Sequence, residues 1–322
     1  MTKILLLFLS FTSCQTFSPL RETVATPTTF GTIDAVVPQW EPYAEEFGGG
    51  LALFAGKTEN PRLEFWVLRA DLSEPRLSIV VSDPGTGEGA YQENHIPAAS
   101  VSHFVEHSNC VAGINTNPFS PSSAKIGEDR FIDGITVSNG IIVARPDPRY
   151  DALVFYADHA VEKGDDAFST QRMAAIVSQR ELANMHGIAN AVGGFQMVLR
   201  DGALVKRVLD QAADEKAPRY PRSAAGLSAS GNILYLLAID GRRSSSIGAT
   251  EAELGLLLQR IGACDGLNFD GGGSTAMVLR TLRPEKENPY GKTVLANVPI
   301  HNRIPGWERA VASCLGIRLG KE

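Results

Sequence analysis

Apolar residues in this chain fall into short runs bounded by glycine, proline and asparagine, the pattern of strands joined by tight turns. Arg62 to Asp71 and Leu77 to Ser82 read as strands, with Pro75 marking the turn between them. Ala98 to Ser108 reads as a helix that leads into a buried strand, Cys110 to Ile114. Asn115 to Pro121 is a loop, because Pro118 and Pro121 disfavour both helix and central strand. Three hairpins follow, turning at Ser138-Asn139-Gly140, at Asp201-Gly202 and at Ser230-Gly231-Asn232. Ala152 to Tyr156 and Ser313 to Leu319 are further strands. The clearest helix is Glu251 to Gly262. Thr250 and Glu253 form a capping box there, and Leu254, Leu257, Leu258 and Ile261 recur at i, i+3, i+4, i+7. Hairpins outnumber helices and strand–helix alternation is poor. The expected fold is therefore α+β, a mixed, largely antiparallel sheet with a few packed helices.

Composition narrows the function classes. The 322 residues are 43% hydrophobic and 20% charged, which supplies a full core, and 31 glycines suit many tight turns. The net charge is −6 and no basic stripe is visible, so nucleic acid is not an expected partner. Lys3 followed by the apolar segment Ile4 to Phe11 reads as an export signal too short to anchor in a bilayer. Phe11-Thr12-Ser13-Cys14 is similar to a lipobox, which would make Cys14 a lipidated first residue and the protein a periplasmic or cell-surface lipoprotein held to the membrane by that lipid. Residues 1–34 are then signal and tether, and 35–322 form a single domain. Cys110, Cys264 and Cys314 sit beside apolar runs and read as buried thiols.

Candidate chemistry concentrates at strand ends. Asp270 closes an apolar run and enters Gly271-Gly272-Gly273-Ser274, whose successive amides could form an anion-binding nest; a plain β-turn is the alternative. Asp240 likewise ends an apolar run before a glycine turn. Two carboxylates projecting from strand ends into glycine-rich loops could share a cleft and suit glycosyl transfer or hydrolysis, with one at the anomeric carbon and one moving a proton. Arg222 offers paired N–H donors for phosphate. Asn115 could orient a sugar hydroxyl, and Phe119 could stack on a sugar ring. His103-Phe104-Val105-Glu106-His107 matches an inverted zinc-protease pattern without an evident third ligand. No ligand cluster demands a metal or other cofactor, although Asp240, Asp270 and a phosphate together could hold Ca²⁺ or Mg²⁺.

Taken in order, the blocks Ala112 to Phe119, Val192 to Gly202, Pro221-Arg222-Ser223-Ala224, Asp240 to Gly248, Leu267 to Thr275, Asn297 and Glu308-Arg309-Ala310-Val311 resemble the phosphodiester glycosidase family, which includes bacterial members associated with exopolysaccharide. The resemblance runs from about Ser100 to Leu319. One departure is Asn115-Thr116-Asn117-Pro118-Phe119, where many relatives carry glycines after the asparagine. The resemblance implies a glycoside hydrolase that cleaves a carbohydrate phosphodiester, in an exported glycan or glycoconjugate, between the anomeric carbon and phosphate. For that reaction the residues suggest phosphate on the Gly271, Gly272, Gly273 and Ser274 amides and Arg222, with Arg309 in the closing block, and Asp240 or Asp270 facing the anomeric carbon or activating water. A non-catalytic phosphosugar-binding lipoprotein and a metal-dependent phosphodiesterase are the competing readings.

Overall fold

The computed structural model describes residues 37–38, 50–83, 92–122, 125–157, 173–182, 187–212, 214, 216–280 and 291–320. The expected export signal, the Cys14 lipidation site and the tether lie outside these residues. The fold is sheet-rich, with three α-helices among the described residues. Among the described residues every strand ladder is antiparallel, so the mixed, largely antiparallel sheet expected from sequence is antiparallel throughout that part. Short turns enforce this between sequential strands such as Leu51–Glu59 and Arg62–Asp71, because a parallel pair needs a long crossover.

An eight-stranded sheet organises the molecule. At its centre Arg62–Asp71, Ile233–Ile239, Arg222–Leu227 and Asp265–Asn268 lie side by side. Met197–Arg200 follows beside Asp265–Asn268. One face of the sheet is covered by Glu251–Arg260 and Lys206–Ala212, which bury Leu254, Leu257, Leu258 and Val208 against Val67, Leu237 and Ile239. Each buried leucine contributes about 1.5–3 kcal/mol before entropy is counted. The capping box read from sequence is formed: Thr250 Oγ1 accepts from Glu253 N and the Glu253 carboxylate accepts from Thr250 N. The opposite face packs on two five-stranded sheets through Leu51, Leu68, Leu236, Leu153, Ile114 and Met277. Val101–His107, N-capped by Ser100, covers the outer side of one of these through Phe104 and Val105.

The three hairpin turns form where glycine and asparagine placed them. Asn139 and Gly140 take φ of 48° and 78°, and Asp201 and Gly202 take 50° and 76°, the left-handed pair that a two-residue turn requires. Sequence reading missed Leu51–Glu59, Ala174–Ser178, Ile188–Gly194 and the Lys206–Ala212 helix. Ile188–Gly194 carries Asn190, Gly193 and Gly194, which weaken a strand signal. The reason is packing. A Cβ on Gly193 would meet Asn117 Nδ2 at 2.6 Å, and one on Gly194 would meet the Asn268 carbonyl at 2.7 Å. Glycine lets this strand's end close onto the strand that carries Asn268. The cysteines Cys110, Cys264 and Cys314 are buried, as their apolar neighbours in the sequence implied.

Candidate active site

The ends of three adjacent strands assemble the site. Arg222 pairs with Ile239 and Ala224 with Asn268, so Arg222, Asp240 and Asp270 leave the large sheet at the same end. Asp240 and Asp270 leave strands that are two spacings apart, roughly 10 Å. The backbone around Asp270 is fixed on both sides. Its N–H donates to the Thr116 carbonyl at 2.8 Å, and its carbonyl accepts from Asn115 Nδ2 at 2.6 Å. Asn115 Oδ1 in turn accepts from Ser223 Oγ at 2.7 Å and Ala276 N at 3.2 Å. Asn115 is thus a buried staple behind the site and does not reach toward a sugar hydroxyl.

Each glycine after Asp270 has a contact that explains it. A Cβ on Gly271 would lie 2.7 Å from the Pro221 carbonyl oxygen, which accepts the Gly272 N–H at 2.9 Å. Gly272 has φ of +63°, and a Cβ there would stand 3.0 Å from Arg242 Nη2. A Cβ on Gly273 would stand 2.7 Å from Arg309 Nη2. The glycines therefore let two guanidinium groups lie directly on the main chain. The nest expected from sequence is largely engaged within the turn itself. The Gly272 amide goes to Pro221, the Ser274 amide to the Gly271 carbonyl, and the Gly271 amide to the Asp270 carboxylate. Positive charge at the turn comes from Arg242 and Arg309.

Asp270 itself is partly buried, and burial pushes its carboxyl up to about 6, against the opposing pull of the Ser274 hydroxyl, Arg309 and the Gly271 amide. Arg309 Nη1 donates to Ser274 Oγ at 3.2 Å, and its Nε donates to His301 Nδ1 at 3.2 Å. With Nδ1 accepting, the His301 proton sits on Nε2. Burial and the charges of Arg309 and Arg242 hold His301 below its usual range, so it stays neutral at pH 7. The loop carrying His301 also exposes Ile304 and Trp307 at the rim.

Asp240 occupies a different environment. Its side chain is 0% exposed and receives Arg243 Nη1 at 2.6 Å, Asn297 Nδ2 at 3.1 Å and Val298 N at 3.0 Å. Burial raises its carboxyl while these three donors oppose the rise. It ties the 240–246 turn to the segment at Asn297, which also holds Met277 N at 2.7 Å.

Two expected contacts take other forms. The Arg222 backbone lies beside Gly271, but its guanidinium donates to the Ala249 carbonyl at 3.0 Å, stands 3.9 Å from Glu251 and covers the Tyr220 ring. Odd and even residues of a strand face opposite sides, and Arg222 shares its side with Ala224, toward the helices. Phe119 is core, packed with Ile96, Val101 and Val311, so its ring has no open face for a sugar. Neither His301 nor Arg242 stands out in the sequence as a site residue, because both reach the turn from loops about 30 residues away on either side. The His103/His107 pair meets no third ligand among the described residues. The rings stack at 3.7 Å, His107 Nδ1 bonds the His103 carbonyl, and Glu106 accepts from Thr293 Oγ1. No group of three metal-ligating side chains occurs among the described residues.

Comparison with known proteins assigns the chain to a family. The phosphodiester glycosidase family model matches residues 108–318, which include every strand end and loop just described except the Arg62–Asp71 side of the sheet. The chain belongs to the phosphodiester glycosidase family. Its glycoside-phosphodiester hydrolase character and its carbohydrate phosphodiester substrate are, at that level, those of the family. No curated protein matches the chain. Among solved structures, the fold is similar to the catalytic domain of zebrafish N-acetylglucosamine-1-phosphodiester alpha-N-acetylglucosaminidase auto-inhibited by its pro-peptide, with a TM-score of 0.58 and 16% identity over 89% of this chain and 87% of that one. A protein from Burkholderia pseudomallei K96243 matches at TM-score 0.54 and 15% identity over 82% and 74% of the two chains. A Synechocystis protein matches at 0.53 and 13% over 84% and 62%.

Proposed function

We propose that this chain hydrolyses a sugar-1-phosphodiester, with Asp270 as the reacting carboxylate and Asp240 as a buried positioning group. The observation that carries this reading is a carboxyl raised to about 6 beside two guanidinium groups laid on a glycine turn. A site that only bound phosphate would gain nothing from a partly desolvated carboxylate beside its cations, since the two anions repel. A hydrolase needs both signs, one for the departing phosphate and one for the sugar as positive charge develops at its anomeric carbon.

In the reaction, Arg242 and Arg309 hold the phosphate oxygens. The anomeric C–O bond breaks and its electron pair stays on the phosphate, which is a good leaving group and needs little acid assistance. Ionised Asp270 faces the anomeric carbon, stabilises the charge there and takes the proton from the attacking water, whose oxygen ends on the sugar. Neutral His301 offers its Nε2 proton as a hydrogen-bond donor. No step uses a metal, and equal turnover in EDTA and in added calcium or magnesium is expected. The substrate is part of an exported glycan or glycoconjugate, and Cys14 anchors the enzyme to the membrane through lipid.

The test is release of free sugar from a glycosyl phosphodiester in ¹⁸O-labelled water. Label on the sugar, lost in Asp270→Asn, is the expected result. Label on the phosphate would assign the chain to P–O cleavage instead, and undiminished turnover by Asp270→Asn would remove Asp270 from the chemistry.

A further inference from the structure

A second feature lies along the Met197–Arg200 strand, outside the turn at Asp270. An open cavity of about 400 Å³ starts at Gln196 and ends among arginines. Gln196 belongs to the site end of the sheet, because its carbonyl accepts the Asn268 N–H at 3.1 Å, two residues before Asp270. From Gln196 to Arg200 the strand rises about 13 Å. Four guanidinium groups line the cavity, from Arg149, Arg180, Arg200 and Arg207, against one carboxylate, Asp151. Three of these arginines also reach carboxylates outside the lining, Asp147, Asp265 and Glu251, which leaves Arg180, among the described residues, as the cation that a bound anion would meet unpaired.

The pairing of these arginines is incomplete. Asp151 Oδ2 is occupied by the Met197 N–H at 2.7 Å. Arg149 is paired with Asp147 at 2.6 Å and Arg200 stands 3.5 Å from Asp265. Arg180 donates to the Pro148 carbonyl at 2.8 Å and pairs with no carboxylate among the described residues. Arg207 is bonded to Glu251 through Nη1, while its Nη2 is buried with no hydrogen-bond partner. A buried N–H without an acceptor costs free energy, so the Arg207 guanidinium gains by turning Nη2 toward an oxyanion in the cavity it lines. Beside the arginines, Phe195 exposes 38% of its surface and its ring stands 6.3 Å from that of Tyr150, over which Arg149 lies. Aromatic faces next to guanidinium groups suit a pyranose ring that carries an acidic group.

We infer that this groove binds an acidic saccharide segment, carrying carboxylate or phosphate groups, that flanks the scissile linkage. The inference rests on the hydrolase reading for its sugar and adds the substrate class: an anionic glycan rather than a neutral one. Arginines along the strand hold the charged units, and the chain end lies toward Asp270.

The probes are a glucuronic acid tetrasaccharide and a neutral glucose tetrasaccharide, titrated calorimetrically into the full chain at low salt. The acidic probe is expected to bind more tightly, and its affinity to fall as salt rises. Arg180→Glu, and independently Arg149→Ala, is expected to weaken it about tenfold, the equivalent of one lost charge-assisted hydrogen bond. Arg180→Glu leaves turnover of a small aryl glycosyl phosphodiester unchanged, because that molecule does not reach the groove. Asp270→Asn abolishes turnover and retains binding of the acidic probe. Equal affinity for the two probes, or full affinity in both arginine variants, would overturn the groove. Tight acidic binding in a wild-type protein that turns over no phosphodiester would leave the groove standing and sink the hydrolase.

Discussion

Replacing Asp270 by asparagine should separate stability from activity in opposite directions. The wild-type carboxyl is raised from 3.8 to about 6, chiefly by burial. Its folded state therefore holds the proton more tightly than its unfolded state. Native stability falls as pH rises between about 4 and 6, and above 6 the full cost of ionising a desolvated acid is present. At 1.36 kcal/mol per pH unit this amounts to about 2–3 kcal/mol, the smaller figure allowing for water at the open side of the turn. Asparagine keeps the size and one acceptor oxygen but carries no charge. Asp270→Asn should thus be more stable than wild type by about 2 kcal/mol at pH 7.5, and the gap should close toward pH 4. The assay is urea denaturation of both proteins at several pH values, set beside sugar release. Wild-type turnover should rise with pH through about 6, because the ionised form reacts, whereas the variant should lose at least about a hundredfold, the lower range for one catalytic proton-transfer group. A variant that is less stable at pH 7.5, or a gap that does not change with pH, would show that burial does not set this carboxyl.

Three further outcomes follow from the same geometry. Asp240→Asn replaces one of the two oxygens that accept from Arg243 Nη1, Asn297 Nδ2 and Val298 N by an amide donor, while Glu64 still stands 3.3 Å from Arg243; the lost acceptor should outweigh the relief of a buried charge and lower stability by about 1–2 kcal/mol, measured as a lowered Tm, with activity lost in step with folding. Gly273→Ala places a methyl where Arg309 lies, 2.7 Å from Nη2; because the guanidinium can swing aside, Tm should change little while kcat/KM drops about tenfold or more through lost phosphate stabilisation, and an unchanged kcat/KM would remove Arg309 from the site. Cys110, whose thiol burial pushes up to about 12, and Cys314, raised further by the same cause, should resist thiol reagents at pH 8 until urea is added, as followed by a chromogenic disulfide.

Local rules made much of this fold legible. The hairpin at Asn139-Gly140, the one at Asp201-Gly202 and the Thr250–Glu253 box depend on residues within four positions of one another, and sequence alone fixes such short-range geometry. The importance of Asp270 and its glycines was legible too, because a glycine run after an apolar strand is itself a local signal. The use of those glycines was not. Sequence suggested open amides for phosphate, whereas the fold fills the turn with Pro221, Arg242 and Arg309. Arg222 shows the limit most directly. Its chain position beside the turn is correct, yet strand alternation points its guanidinium to the helix side, and which side is which depends on what packs there. His301 and Arg242 were hidden for the same reason. Residues about 30 positions apart share no periodicity, and only the order of strands in the sheet, set by which apolar faces can be buried together, brings them to one carboxylate.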